Sequence, residues 1–216
     1  MSAARWHPGQ PLASLRSIVE RGGLLVIPTE SSYGLGVDPQ NEVAVASVYR
    51  VKGRSGDKPL PVVAADERQL RALGVDLDPP LIRRLARLWP APLTVVAPLA
   101  RQLPAAAGER GLAVRIPASR LLRQLLSELG RALTATSANR SGEPPVLAPG
   151  AAADLVAGVD AAVVDGGELA GGPPSTLVAV REDRVEVLRQ GAYPLARLRG
   201  ELGDLRVAAA AERGVG

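Results

Sequence analysis

Apolar positions recur along this chain in two periods, with polar, glycine- and proline-rich breaks between them. Leu24 to Ile27 form an unbroken apolar run that stops at Pro28 and gives way to Thr29, Glu30, Ser31, Ser32 and Tyr33. Such a run matches a strand buried on both faces, although four residues also fit a fragment of core helix. Pro28 favours the strand and its ending, because proline cannot donate to an interior ladder. The residues after it are expected as exposed hydrogen-bonding groups of a loop, with Gly34 and Gly36 permitting backbone approaches that a Cβ forbids. A substrate loop and an ordinary strand-to-turn connection both fit this stretch.

Helical spacing marks Leu12, Leu15, Ile18 and Val19 before Gly22-Gly23, a first helix with a glycine stop. Asn41 is placed to cap a second helix with Val45, Val48, Tyr49 and Val51 inward. Leu60–Ala64 reads as a strand, Asp66 opens a short helix carrying Leu70 and Leu73, and Asp78-Pro79-Pro80 opens another with Leu81, Ile82, Leu85 and Leu88. Trp89–Pro98 is a rigid turn entering a strand, with Trp89 as a core anchor, and Gly111–Pro117 is a further strand. Ser119 caps a helix built on Leu122, Leu125, Leu126 and Leu129, which Gly130 ends. Strands follow at Ala132–Ala135 and Ala161–Val164, a helix at Ala151–Ala157, and a strand pair, Ser175–Val180 with Val185–Leu188, around Glu182-Asp183. The Ala/Arg/Gly-rich segment from Gly200 has no clear core face and reads as a helical or frayed tail. Strands interspersed with helices predict an α/β (α+β) domain in which several strand ends carry polar loops able to meet in one cleft.

Composition narrows the chemistry. At 216 residues and 46% hydrophobic, the chain can bury a sizeable single core. It has no cysteine and one histidine, His7, which removes disulfides, thiolate sites and most Ser-His-Asp or histidine-metal chemistry. No apolar run reaches a membrane span and the opening MSAARWHPGQ lacks a signal-peptide core, so a cytoplasmic protein without membrane association is expected. The net charge of +4 suits an anionic partner. Aromatic residues make up only 2% of the chain, which argues against the stacking surfaces that bind single-stranded RNA.

Three stretches carry candidate chemistry. In KGRSGDKPL, Lys52, Arg54 and Lys58 sit beside Gly53 and Gly56. Cations with glycine-exposed amides suit a phosphate, while charge alone favours a solvated basic turn; the spacing is not that of a Walker loop. Lys52 and Lys58 are the only lysines, the other 24 basic residues being arginine. In GLAVRIP, Arg115 lies among apolar residues, where it requires an anion: either an internal Asp or Glu, or a substrate carboxylate gripped in bidentate fashion. In TSANRSG, a strand opens into Thr136, Ser137, Ala138 and Asn139, small polar groups that suit a nucleotide phosphate or a plain turn.

PTESSYGLG at 28–36, KGRSGDKPL at 52–60, WPAPLT at 89–94, LAVRIP at 112–117, TSANRSG at 136–142, DGG at 165–167, PST at 174–176 and LRQGA at 188–192 together resemble the threonylcarbamoyl-AMP synthase family, also called Sua5/YciO/YrdC. The resemblance runs over about residues 12 to 192 and implies a YrdC-like fold: a twisted, open mixed sheet flanked by helices, with a large basic cavity. It implies a catalytic domain at 1–200 with a tail at 201–216, in the short form without the longer members' second domain. It also implies an enzyme that makes L-threonylcarbamoyladenylate from L-threonine, bicarbonate and ATP and releases pyrophosphate, with Mg²⁺ carried on the ATP phosphates and no metal ligands from the protein. The product serves threonylcarbamoyladenosine modification at position 37 of tRNAs reading ANN codons, through a separate tRNA threonylcarbamoyl transferase complex.

By the same resemblance Thr29, Arg115 and Ser175 hold L-threonine, with Arg115 on its carboxylate and Tyr33 shaping the wall. Lys52, Arg54 and Lys58 face the ATP phosphates, with Lys52 and Arg54 as the catalytic cations. Ser137 and Asn139 contact the nucleotide, and Arg189 closes over it. Ser55, Ala91 and Val63 depart from the commonest family pattern, Val63 standing where longer members often have a histidine near threonine. Two other readings accompany this one: an RNA-binding paralogue without adenylate chemistry, and a relative that adenylates or transfers a carbamoyl group with another substrate.

Overall fold

The computed structural model describes residues 3–54, 56, 58–203 and 207–209. Ser55 and Asp57 of the cation loop, and most of the tail expected at 201–216, lie outside them. In chain order the elements are β1 (Ala4–Trp6), α1 (Ala13–Glu20), β2 (Leu24–Pro28), β3 (Tyr33–Gly36), α2 (Glu42–Lys52), β4 (Val62–Val63), α3 (Glu67–Ala72), α4 (Pro80–Ala86) and β5 (Leu93–Pro98). They continue with β6 (Gly111–Arg115), α5 (Arg120–Leu129), β7 (Leu133–Thr134), β8 (Thr136–Ser137), α6 (Pro149–Leu155), β9 (Ala161–Val164), β10 (Thr176–Arg181), β11 (Arg184–Arg189), α7 (Leu195–Leu202) and β12 (Val207–Ala209).

The strands form two mixed sheets, one in the order β1-β9-β2-β3-β8 and the other in the order β12-β11-β10-β5-β6-β4-β7. They meet where only Ala135 separates β7 from β8. There the fully buried Thr134 hydroxyl donates to Leu35 O and accepts from the Val37 amide, both at 3.0 Å, stitching one sheet to the other.

The apolar run at 24–27 behaves as its pattern predicts. Leu24 and Val26 pack with α2 and α6 on one face, while Leu25 and Ile27 pack with α1 and α5 on the other. All four are fully buried, worth about 2 kcal/mol for each such side chain. In the seven-stranded sheet the period of two divides the faces differently. Leu93, Val95, Leu112, Val114 and Val178 face the core shared with α3, α4 and α7, while Thr94, Val96, Gly111, Ala113, Arg115, Leu177 and Ala179 face a cavity.

Three of the seven α-helices among the described residues start at a side-chain cap, and two end at a left-handed glycine. The side chains of Asn41, Asp66 and Ser119 accept from Ala44, Gln69 and Leu122 amides, and Gly53 and Gly130 end α2 and α5 in left-handed conformation. Asp78 does not cap α4: Pro79 occupies the N-cap position, and the Asp78 carboxylate pairs with Arg71 and Arg83. The reading of residues 29–36 as an exposed polar loop is corrected. Tyr33–Gly36 is a strand antiparallel to β2, and Ser32 and Tyr33 are buried. Gly34 and Gly36 serve close packing here: a Cβ on either would stand 3.3 Å from a carbonyl oxygen, of Thr136 or Thr134 respectively.

Other differences fall where patterns are short. Val62–Val63 alone form β4, β1 and α7 have no counterpart in the sequence reading, and Thr136–Ser137 pair with β3 instead of opening a loop. α7 runs past the boundary drawn at 200, and Val207–Ala209 pair in parallel with β11.

Candidate active site

A cavity of about 1030 Å³ lies between the free face of the seven-stranded sheet and the β2–β3 hairpin. Its lining includes Thr29, Ser31, Ser32 and Tyr33 from the hairpin, Arg54 from the cation loop, Val63, Thr94 and Arg115 from the sheet, Ser137 from β8, and Ser175 and Arg189 beside β10 and β11. Arg110, Arg181 and Glu109 line it as well.

The hairpin is closed tightly. The Thr29 amide and hydroxyl both donate to Ser32 O, at 3.0 and 2.7 Å. Tyr33 donates its phenol to Gly167 O at 2.8 Å and accepts from the Gly166 amide at 3.0 Å, tying the hairpin to the DGG loop. Burial is the main influence pushing that phenol above its ordinary pKa.

At one end of the cavity Arg115, 9% exposed, donates from Nη1 to Glu30 Oε2 at 2.8 Å. The two sequence readings of this arginine therefore meet: it has an internal carboxylate and it also faces the cavity. Arg189 donates to Ser175 O at 3.0 Å. Burial, and then the charge of Arg115, hold the Arg189 guanidinium below its usual pKa, so two cations stand within electrostatic reach of each other. Between them Ser175 Oγ and Thr94 Oγ1 share a hydrogen bond of 2.7 Å.

The cation loop is sorted by depth. Arg54 lies over the Tyr49 ring at 5.4 Å and faces the cavity. Its Nε is buried without a hydrogen-bond partner. Lys58 is exposed. Lys52, 3% exposed, is directed behind Ser137: its ammonium donates to Ser137 O at 2.7 Å, Asn139 Oδ1 at 2.9 Å and Asn139 O at 3.2 Å. Burial and the Arg54 charge push it down to about 8. Asn139 also accepts from the Ser137 hydroxyl at 2.6 Å and donates to Glu143 O at 2.6 Å.

Six sequence-predicted residues thus share one cavity: Thr29, Arg54, Arg115, Ser137, Ser175 and Arg189. Lys52 and Asn139 stand behind Ser137 as its support. Glu30 and Thr94 escaped the sequence reading of the site. For Glu30 there was a signal, since Arg115 demanded an acid and the PTESSYG stretch holds one.

Comparison with known proteins bears on the same residues. A family model named Sua5_yciO_yrdC and described as "Telomere recombination" matches residues 17–191. The chain belongs to the Sua5/YciO/YrdC family. Within this family it is 37% identical over 188 residues to a threonylcarbamoyl-AMP synthase of Thiobacillus denitrificans, covering 86% of this chain and 98% of that one. It is 34% identical to the threonylcarbamoyl-AMP synthase of Pyrococcus abyssi, covering 88% of this chain but only 56% of that relative, so the chain spans little more than half of the longer form. Among solved structures, P. abyssi Sua5 complexed with L-threonine matches with a TM-score of 0.82 at 29% identity, over 96% of this chain and 62% of that one. The mixed α/β architecture is therefore the YrdC-like fold of this family.

Proposed function

We propose that this chain forms L-threonylcarbamoyladenylate from L-threonine, bicarbonate and ATP with release of pyrophosphate, as a cytoplasmic enzyme. The carrying observation is the placement of two guanidinium groups, Arg115 and Arg189, with the hydroxyls of Ser175 and Thr94, at one end of a cavity that Ser137 and Arg54 also line. Its volume, about 1030 Å³, is at the upper limit of ordinary ligand pockets, about 300–1,000 Å³, and suits two substrates together. The relatives' name and the threonine-bound neighbour support the same reading.

In this proposal Arg115 takes the amino-acid carboxylate, while Thr29 and Ser175 line its side and Val63 supplies an apolar wall. ATP lies against Ser137 and Arg189, with Arg54 and Lys58 toward its phosphates and Asn139 behind Ser137. Lys52 acts through the Ser137–Asn139 turn that it holds. The threonine amine joins bicarbonate to give a carbamate and water. A carbamate oxygen then attacks the α-phosphorus, the bond from that phosphorus to the α,β-bridging oxygen breaks, and the β- and γ-phosphates leave together as pyrophosphate. No side chain need become a nucleophile, since positioning and fixed positive charge do the work.

Among the described residues no cluster of three or more His, Cys, Asp or Glu side chains is placed to hold a metal. Ser137 O and Asn139 Oδ1 already accept from the Lys52 ammonium, so a Mg²⁺ ion would be held by the ATP phosphate oxygens and water. Such an ion neutralises phosphate charge when present. The unstable adenylate passes to a tRNA threonylcarbamoyl transferase complex. Pyrophosphate release should require both L-threonine and bicarbonate; ATP turnover indifferent to threonine would overturn the assignment.

A further inference from the structure

Arg115 has a partner inside the protein before any substrate arrives. Glu30 does not face the cavity; it stands behind the guanidinium, with Oε2 on Arg115 Nη1 at 2.8 Å. Its Oε1 accepts from the Ala118 amide at 2.6 Å and the Ser119 amide at 3.4 Å. Ser119 is also the residue that caps α5. One carboxylate therefore joins the β2–β3 turn, the end of β6 and the entry to α5. With Nη1 held by Glu30, the guanidinium is restrained where Arg115 lines the cavity, and a planar fork of fixed orientation is what makes bidentate carboxylate recognition selective.

Charge adds a second consequence. Arg115 and Arg189 line the same cavity, with the bonded Ser175 and Thr94 hydroxyls beside them, and among the described residues Glu30 is the carboxylate that pairs with either. Two cations and one anion leave a single positive charge at this end of the cavity. We propose that Glu30 is a positioning and specificity-determining residue, which orients Arg115 and cancels one guanidinium charge so that the pocket accepts an amino acid with one carboxylate and rejects a dicarboxylate. This rests on the function proposed above, for it takes the Arg115 end as the amino-acid end. A second substrate carboxylate would enter without a counter-charge, and an uncompensated charge in a partly buried site is costly.

Calorimetric binding of L-threonine and of L-aspartate to the full chain, without ATP, tests the proposal. The wild type should prefer threonine. Glu30→Gln, nearly isosteric, should shift the threonine-to-aspartate preference toward aspartate by about tenfold or more. Glu30→Asp keeps the charge and should keep the preference while weakening threonine binding. An unchanged ratio in Glu30→Gln, with threonine still bound, would reduce Glu30 to a structural strut and overturn this proposal alone. Binding of neither amino acid by the wild type would overturn the function reading along with it. Should Glu30→Gln not fold, Arg189→Gln examines the same charge count from the other side: the preference for threonine should rise, and a ratio that stays put or falls would sink the idea.

Discussion

Arg115 and Lys52 are both buried cations, yet their surroundings assign them different work. Arg115 keeps part of its fork toward the cavity. Arg115→Gln should raise the KM for L-threonine by roughly 10- to 100-fold, the equivalent of one lost charged hydrogen bond, with a smaller change in kcat. Steady-state kinetics at saturating ATP would check it, and a fall confined to kcat would contradict a carboxylate role. Lys52 spends its donors on three protein oxygens. With its pKa pushed down to about 8, against an unfolded value near 10.4, both states are protonated below that lower value and the fold bears the full penalty. As pH rises from about 8 to about 10 the fold has released a proton that the unfolded chain still holds, so stability rises with pH in that window. The thermal midpoint of the wild type, measured relative to Lys52→Met, should climb there. A flat difference would mean that the three oxygens hold the proton as firmly as water does.

At the scale of elements, the site depends on how strand ends and helix starts are tied. Ser119 caps α5 while its amide reaches Glu30, so Ser119→Ala should cost about 1 kcal/mol in urea unfolding and leave the amide contact in place. The segment after β11 is held more rigidly. Thr176 Oγ1 donates to Tyr193 O and accepts from the Gly191 and Tyr193 amides, and the Ala192 amide donates to Pro174 O. A Cβ on Gly191 would collide with the Pro174 carbonyl oxygen. Gly191→Ala should therefore destabilise the fold by about 1–3 kcal/mol and weaken ATP binding by displacing Arg189. Unaltered ATP affinity would separate this strap from the site. Long elements were legible in the sequence because their periodicity and caps are local: Asn41, Asp66, Ser119 and Gly130 all act where their chemistry places them. β1, β12 and the β3–β8 pairing were not, since strands of two to four residues exist only by virtue of their neighbours.

For the whole molecule, the two sheets are the means by which distant motifs become one site. Thr134 and Ala135 carry the chain from one sheet to the other, and this crossing brings Ser137 to the same cavity as Arg115 and Ser175. The cavity has arginines at several places on its wall, so an RNA-binding function without adenylate chemistry makes a separable prediction. Under that reading RNA affinity would fall steeply with salt and survive loss of ATP binding in an Arg54→Ala variant. Under the synthase reading, the same variant should lose threonine-dependent pyrophosphate release.

Local chemistry in the sequence determined the buried strand at 24–27, the capped helices, the absence of thiol catalysis and the family to which the chain belongs, because each rests on composition, spacing or motif order. Tertiary structure alone decided that Tyr33–Gly36 is a strand and no loop, that Lys52 supports Ser137 from behind, and that Glu30 sits on Arg115 across 85 residues of chain. Those are pairings between groups far apart in sequence, and their energies depend on burial and mutual distance, which only the folded chain creates.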